Sequence, residues 1–341
     1  MQWTVAIGVD THRDAHVAVA CDRQGRQVGS LRITASGDGY LRLLSWAQRL
    51  GEPAFAVEGS GSYGRGLARV LEAAGMSVFE CERPQRRDRR RGKSDLLDAT
   101  LAAKRLVAGD GLSRLRGEGE REDLRLLLIE RRSAERARTA ALNQLHSIVV
   151  TAPPRLRARL EALSGSALAQ ACASLRAYAG SEQVVRTVLR RLGGRALRLG
   201  EELVEVEGQL GKLVEVLAPE LLAECGVGSF CAAQLLVASG DPARMRNDAS
   251  FAALAGTSPV DASSGRQQRH RLNRGGDRQL NRALHIIALT RIRYDEATAS
   301  YYERLLSTGK TPREARRCVK RALARYFYRR LDAIGAVALT P

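Results

Sequence analysis

Residues 93–99 read Lys-Ser-Asp-Leu-Leu-Asp-Ala, so that Asp95 and Asp98 are three positions apart. The segment continues into residues rich in alanine and leucine, which predicts a helix over 94–108. Residues three apart lie on one face of a helix, so the two carboxylates are neighbours. Like charges this close are unfavourable unless a cation or a proton lies between them. A hard divalent metal ion is the expected cation, and its other carboxylate ligands come from distant parts of a chain.

Two further acids stand at the ends of apolar runs. Asp10 follows the run 5–9, and Glu58 follows the run 54–57. An acid at the end of a buried strand is costly if it serves packing alone. Together with Asp95 and Asp98, these residues predict a site of four acids for two divalent metal ions, which would polarise a phosphodiester. Asp14, near the first turn, is not included in the predicted site.

The order of predicted elements around these acids indicates the fold of residues 1–115. Strands are predicted at 3–9, 15–21, 27–33, 54–58 and 77–81, and helices at 38–50, 63–74 and 94–108. The resulting order, β-β-β-α-β-α-β-α, is that of the ribonuclease-H-like fold. The overall fold class is therefore α/β plus all-α, with a mixed sheet at the amino-terminal end.

Residues 116–217 form a predicted helical region. One long charged helix spans 120–150 and ends before Pro153-Pro154, and leucines recur through 189–217. Arg131 and Arg138 interrupt the apolar seam, which favours an antiparallel helical hairpin or coiled-coil insertion over a strict heptad zipper. An ordinary helical bundle is the alternative.

Residues 218–341 are predicted to be a mainly helical C-terminal domain. Gly226-Val227-Gly228 has the spacing of a helix-hairpin-helix turn, whose backbone N–H groups hold a phosphate, although a plain turn between helices has the same pattern. A loop rich in Ser, Gly and Arg spans 257–277, and helices continue to about 332. Ser263-Ser264-Gly265 within this loop is usually a turn, but an exposed serine next to arginines is also suited to attack a phosphoryl group.

The charge of the chain indicates a polyanionic partner. Lys and Arg number 55 against 37 Asp and Glu, for a formal net charge of +18, and nucleic acid is the first expectation. A merely solvated basic surface is the alternative. Two segments concentrate the charge, and their candidate nucleic-acid-binding residues are Arg86, Arg87, Arg89, Arg90, Arg91 and Lys93 in the first and Arg266, Arg269, Arg271 and Arg274 in the second.

The six cysteines show no pair at zinc-ligand spacing, which predicts reduced and mostly buried thiols in a cytoplasmic protein. No apolar run approaches the roughly 18 residues that a membrane span needs, so no membrane partner is expected.

Four segments together resemble a known family. Asp10 in GVDTHRDAH, Glu58 in AVEGSGSYG, Asp95 and Asp98 in KSDLLDA, and the run FAALAGTSPVDASSGRQQRHRLNRGGDRQLNRALHIIALTRIR are similar to the insertion-sequence transposases with a DEDD RuvC-like domain. This is the family of insertion sequence "one-ten", which consists of recombinases guided by a bridge RNA. The resemblance covers nearly the whole chain.

The resemblance implies a RuvC-like catalytic domain over 1–115, a coiled-coil region over 116–217 that dimerises, and a C-terminal transposase domain over 218–341. It implies that Asp10, Glu58, Asp95 and Asp98 bind Mg²⁺ and that Ser264 attacks DNA to give a phosphoserine intermediate, with Ser263 adjacent. The implied partners are donor and target DNA, a structured guide RNA, and further copies of the chain in a homodimer or dimer of dimers.

Three other functions are compatible with parts of the pattern. A metal-dependent endonuclease of the Holliday-junction type would use the same four acids with water as the nucleophile. A sugar-kinase or actin-like ATPase also begins with a strand, an acid and a turn, but it would place phosphate-binding glycines where Thr11-His12-Arg13 stands. A non-catalytic RNA-binding protein would need only the basic charge.

Overall fold

The computed structural model describes residues 3–81, 94–115, 119–176, 178, 180–240, 247–261, 270–271, 273 and 275–338. The chain divides into two compact units, Met1–Gly117 and Glu118–Pro341. The finer division at 116–217 and 218–341 stays a prediction.

The amino-terminal unit contains a mixed sheet that is six-stranded within the described residues. Its elements follow in the order β1 Val5–Thr11, β2 Ala15–Cys21, β3 Gln27–Thr34, α1 Gly37–Leu50, β4 Pro53–Glu58, α2 Arg65–Ala73, β5 Ser77–Cys81, α3 Asp95–Ala108 and β6 Leu112–Arg114. The strand order across the sheet is β3-β2-β1-β4-β5-β6. The strands β1, β4 and β5 are parallel to one another, and β2, β3 and β6 run antiparallel to their neighbours.

The predicted strands and helices of this unit are confirmed within two residues at each end, and the fold is compatible with a ribonuclease-H-like domain. The edge strand β6 was not predicted. Its three residues, Leu-Ser-Arg, are too few to show an alternating pattern, and the strand exists because it pairs with β5.

Alternating side chains of the sheet supply two apolar faces. One face of β1, β2 and β4 packs against α1 and α2, with Ile7, Val9, Phe55 and Val57 in its core. The other face carries small residues, including Ala6, Ala54 and Ala56, and packs against α3. A small-residue face permits a close approach of this helix to the sheet, which positions the amino-terminal turn of α3.

The second unit is helical apart from one short hairpin in its described part. Its elements are α4 Glu120–Thr151, α5 Pro154–Leu160, α6 Gly165–Ala173, α7 Gln183–Leu217, α8 Pro219–Leu222, α9 Ser229–Ser239, α10 Asp248–Leu254, β7 Val260–Asp261, β8 His270–Arg271, α11 Arg278–Tyr294, α12 Glu296–Ser307 and α13 Pro312–Ala338. The two-residue strands β7 and β8 pair within the segment that was predicted to be a loop.

The long helices α4 and α7 pack antiparallel. Leu124 near the start of α4 shares a core with Val214 near the end of α7, and Leu145 near the end of α4 shares another core with Leu189 near the start of α7. The first of these cores also contains residues of α9, α11 and α13. A helical pair is therefore present, and its classification as a coiled coil stays a prediction.

The turn at 226–228 connects the single-turn helix α8 to α9, so the first helix of the predicted pair is shorter than expected. Gly226 has φ +78°, and a Cβ added there would lie 3.0 Å from Thr290 Cβ on α11. The turn thus packs closely against α11, and phosphate binding by its backbone stays a prediction.

Four of the six cysteines are buried, and all six are free thiols, as the spacing of the cysteines predicted. None of the helices in the described part combines the length and the apolar character that crossing a bilayer requires.

Candidate metal centre

Asp10 and Glu58 lie next to each other because of the register between two parallel strands. Val9 on β1 pairs with Val57 on β4, and the two acids are the next residues of their strands. Residues in register on neighbouring strands project to the same face. Both acids therefore lie on the face that α3 covers.

The close contact between α3 and β1 brings the other two acids to this place. A Cβ added to Gly8 would lie 2.1 Å from Ala99 O and 2.2 Å from Ala103 N, so only glycine permits this approach. The helix begins at Asp95 with Ser94 as its N-cap, whose hydroxyl accepts a hydrogen bond from Leu97 N. Asp98 lies one turn further into the helix.

Burial of the acids follows from this packing. Asp10, Glu58 and Asp98 are only 6%, 8% and 5% exposed, whereas Asp95 is partly buried at the helix start. Burial raises the pKa of the Asp10 carboxyl, His12 opposes this change, and the negative charges of Asp98 and Asp95 add to it. An electropositive ligand would relieve this repulsion by favouring the ionised form of Asp10.

His12 joins the cluster, and the sequence analysis did not identify it. Its Nε2 atom lies 3.2 Å from Asp10 Oδ2 and 3.2 Å from Asp95 Oδ1. A possible ligand atom from each of these three residues lies within 4.8 Å of the other two. The sequence indication for His12 was its position two residues after Asp10, because residues two apart in an extended segment project to the same side.

The donor set fits a divalent metal ion. Two carboxylates and an imidazole converge within coordination reach. The buried Glu58 lies on the same sheet face as Asp10, and the charge of the buried Asp98 acts on Asp10 from α3. Carboxylate oxygens suit Mg²⁺, while an imidazole nitrogen suits Mn²⁺ and later transition metals. The cluster is therefore suited to a divalent cation, and its composition alone does not select Mg²⁺.

A shallow groove of about 400 Å³ adjoins the cluster. Its lining includes His12 and Asp95 of the cluster together with Arg13, Asp14, Arg32 and Tyr63. The two arginines were not among the predicted nucleic-acid-binding residues, because they are separated in sequence from the basic runs. Their position beside the acids is suited to a phosphate that approaches the metal centre.

The predicted nucleophile and most of the predicted nucleic-acid-binding residues lie outside the described residues. They are Ser264 with its neighbour Ser263, and Arg86, Arg87, Arg89, Arg90, Arg91, Lys93, Arg266, Arg269 and Arg274. Arg271 is described in its backbone, as part of β8. The roles of these residues stay predictions.

Two transposase families match the chain. Residues 7–154 match the DEDD transposase of IS110, and residues 219–303 match the family described as "Transposase IS116/IS110/IS902 family". The acidic cluster falls within the first of these matches, residues 7–154. The second match, residues 219–303, includes part of the hydrophobic core that contains Phe251. The fold and these two matches define the class as a transposase, with a DEDD region followed by a second transposase region.

Curated relatives agree with that class. The chain is 35% identical over 131 residues to the "Insertion element IS110 uncharacterized 43.6 kDa protein" of Streptomyces coelicolor, a match that covers 38% of this chain and 32% of the relative. It is 31% identical over 160 residues to the "Insertion element IS900 uncharacterized 42 kDa protein" of Mycobacterium paratuberculosis, a match that covers 46% of this chain and 38% of the relative. The matches thus span about a third of each relative's length. Residues 7–154 and 219–303 thus carry transposase domains of the IS110/IS116/IS902 family.

Proposed function

We propose that this protein is a DNA transposase that cuts and rejoins DNA at a site of four acids. The observation that carries the proposal is the convergence of Asp10, His12 and Asp95, beside the buried Glu58 and Asp98, within the segment that matches the DEDD transposase family. A group of acids that served only to stabilise the fold would not need so many carboxylates at one end of a sheet.

Asp10, Glu58, Asp95 and Asp98 would hold the metal, which we propose to be two Mg²⁺ ions. When bound, the metal supplies Lewis acidity and stabilises negative charge on phosphate oxygens. The buried carboxylates hold their positions through the packing of α3 on the sheet. His12 orients Asp10 and Asp95 through its contacts with both, and Arg13 and Arg32 attract the DNA backbone to the adjoining groove.

Ser264 is the proposed nucleophile. Its Oγ forms a bond to phosphorus and loses its proton to a base, while the bond from phosphorus to one deoxyribose oxygen breaks and that oxygen leaves as a hydroxyl after it gains a proton. The phosphoserine is then attacked by a deoxyribose hydroxyl of the other strand, which releases the serine. The support for this step is the resemblance of the segment around Ser264 to the transposase family.

The remaining parts of the proposal concern partners. A structured guide RNA pairs with donor and target DNA, and the chain acts as a homodimer or dimer of dimers through a coiled-coil region formed by α4 and α7. The net charge of +18 supports binding to nucleic acid. We place the complex in the cytoplasm, with a ribonuclease-H-like catalytic domain and a C-terminal domain that carries the serine.

The test uses the purified chain with MgCl₂, RNA transcribed from the non-coding region that flanks its gene, and DNA labelled at the recombination junction. Asp98→Asn should reduce cutting by roughly a thousandfold or more, because loss of a metal ligand removes several kcal/mol of charge stabilisation. Its matched control is Asp38→Asn, whose exposed carboxylate lies on α1, at the sheet face opposite the one that α3 covers. EDTA should reproduce the effect of Asp98→Asn.

The nucleophile is tested on a denaturing gel. The wild-type chain should form a covalent adduct with DNA that Ser264→Ala abolishes and Ser263→Ala preserves. Cutting without an adduct that survives Ser264→Ala but not Asp98→Asn would instead establish the metal-dependent junction endonuclease with water as nucleophile. No cutting of any DNA by the wild-type chain with its RNA and Mg²⁺ would refute both functions.

A further inference from the structure

A cluster of basic and amide side chains lies between α11 and α13, far in sequence from the four acids. Lys320 on α13 is 8% exposed, and its Nζ donates a hydrogen bond of 2.7 Å to Asn281 Oδ1 on α11. His285 lies one turn after Asn281, and Arg316 lies one turn before Lys320. We refer to Asn281, His285, Arg316, Lys320 and Arg321 as the α11–α13 basic cluster.

In the described part of the chain, no acid forms an ion pair with Lys320, His285 or Arg316, and Asp248 acts electrostatically on Arg321. Burial lowers the pKa of Lys320, and Arg317 lowers it further. Burial also lowers the pKa of His285, and the charges of Lys320 and Arg316 add to that effect. Among the described residues, no carboxylate lies within 4.0 Å of Lys320 or His285, since neither takes part in an ion pair.

Arg291 is the other buried cation among the described residues, and unlike Lys320 it has a charged partner. It donates to Glu224 at 2.6 Å. The Lys320 ammonium carries three donors, and Asn281 Oδ1 is its hydrogen-bond acceptor in the described part of the chain. A buried cation without a counter-ion is costly, so an anion that accepts the other two donors would be stabilised here.

The cluster is attached to the amino-terminal end of the segment that contains Ser264. Arg321 donates a hydrogen bond of 2.6 Å to Ser258 Oγ, two residues before β7. Asn281 Nδ2 donates a bond of 2.6 Å to Ala255 O.

A tight backbone contact closes the base of the same segment. A Cβ added to Gly276 would lie 2.2 Å from Gly256 N, and Asp277 N donates to Leu254 O at 2.6 Å. The two ends of residues 257–276 are therefore held together beside Lys320 and Arg321.

We propose that the α11–α13 basic cluster binds one phosphate of the DNA backbone at the base of the serine-bearing segment. The ammonium of Lys320 and the guanidinium groups of Arg316 and Arg321 supply the donors, and the phosphate supplies the missing negative charge. Lys320 is a positioning residue that holds the strand and takes no part in bond making. The inference rests on the proposed function for the identity of DNA as the ligand.

The experiment measures binding of the full chain to a fluorescein-labelled DNA duplex by anisotropy, in EDTA and at several KCl concentrations. Lys320→Gln should weaken binding about tenfold at low salt and make the slope of log K against log[salt] less negative by about one, because one phosphate contact is lost. Arg316→Gln should change both quantities in the same direction. Lys320→Arg, which keeps the charge, should retain most of the affinity.

Arg325→Gln is the matched control, because it removes one positive charge from the same helix. Arg325 is half-exposed and already paired with Asp248, so its replacement should change the affinity less than about threefold. The inference is overturned if Lys320→Gln binds DNA like the wild type or no worse than Arg325→Gln. It is also overturned if an RNA duplex of equal length loses affinity on Lys320→Gln while the DNA duplex does not.

Two further features keep the test decisive. If Lys320→Gln lacks the circular dichroism spectrum of the wild type, then Arg316→Gln, at a partly exposed position, decides the outcome by the same criteria. The assay contains no metal and no cutting step, so a chain that binds DNA through Lys320 but never cuts it would refute the proposed function alone. A chain that cuts DNA normally and binds it independently of Lys320 and Arg316 would refute this inference alone.

Discussion

Glu224 joins three elements of the helical unit through a single carboxylate. Arg291 on α11 donates to one of its oxygens at 2.6 Å, and Tyr326 and Arg330 on α13 donate to the other at 2.6 and 2.7 Å. Glu224 itself lies in the connection between α8 and α9. Burial alone would raise the pKa of this carboxyl, but the hydrogen bonds from Tyr326, Arg330 and Arg291 outweigh burial and lower it.

Glu224→Gln should therefore destabilise the folded chain in a pH-dependent manner. At pH 7 the variant should lose about 3 kcal/mol of unfolding free energy, because Arg291 is left buried without a charged partner. The folded-state pKa lies below the ordinary value of 4.5, so the stabilisation is fully present above pH 4.5 and is lost as pH falls through the folded-state pKa. Denaturant unfolding between pH 3 and 7 measures this difference.

The matched control for that change is Glu220→Gln. Glu220 is exposed on α8, four residues before Glu224. Its replacement should change the unfolding free energy by less than about 0.5 kcal/mol at any pH. An equal loss of stability for both variants, or a loss for Glu224→Gln that does not shrink at low pH, would show that the charge of Glu224 is not responsible.

At the scale of elements, glycines set how closely helices approach their neighbours. Gly8 allows α3 to lie against β1, and Gly193 does the same for α7 and α6. A Cβ added to Gly193 would lie 2.5 Å from Ala169 O and 2.7 Å from Ala173 N. In contrast, Gly208 of the same helix α7 is exposed and has no atom within 4 Å of an added Cβ.

These two glycines of one helix should respond oppositely to alanine. Gly193→Ala should lower the unfolding free energy by about 2 kcal/mol, since the backbone of α6 must move away. Gly208→Ala should raise it by up to about 1 kcal/mol, because alanine favours the helix and meets no obstacle. Thermal or denaturant unfolding of the two variants measures both values, and the same sign for both would contradict the close packing of α6 on α7.

At the scale of the whole molecule, each of the two compact units has hydrophobic cores of its own. The sheet unit encloses clusters around Phe55 and Ala102, whereas the helical unit encloses clusters around Phe251 and Leu145. Units with separate cores can unfold as separate cooperative transitions. The acidic cluster belongs to the sheet unit.

Scanning calorimetry should therefore resolve two unfolding transitions, one for each unit. Mg²⁺ should raise the midpoint temperature of the transition that belongs to the sheet unit. A ligand at one hundred times its dissociation constant adds about 2.7 kcal/mol to the unit that binds it. Asp98→Asn should abolish the shift, and Asp38→Asn should retain it. A single transition, or an equal rise of both midpoints with Mg²⁺, would show that the metal does not act on the sheet unit alone.

The amino-terminal fold was predictable because its information is local. Strands β1, β2, β4 and β5 appear as short runs of apolar or alternating residues, and the helix of Asp95 and Asp98 appears as an N-cap followed by alanines and leucines. In contrast, β6 and the pair β7–β8 have two or three residues each, and they depend on partners elsewhere in the chain.

The sequence by itself predicted the transposase family, the order of elements from β1 to α3, and the four acids of the candidate metal centre, because residue types and short spacings carry that information. Only the tertiary structure decided that His12 contacts both Asp10 and Asp95 and that Lys320 is buried beside Asn281 without a carboxylate. Those contacts join residues that are up to 83 positions apart (Asp95 and His12). They arise from helix packing against a sheet or another helix, and the periodicity of one segment does not reveal which distant side chains will meet.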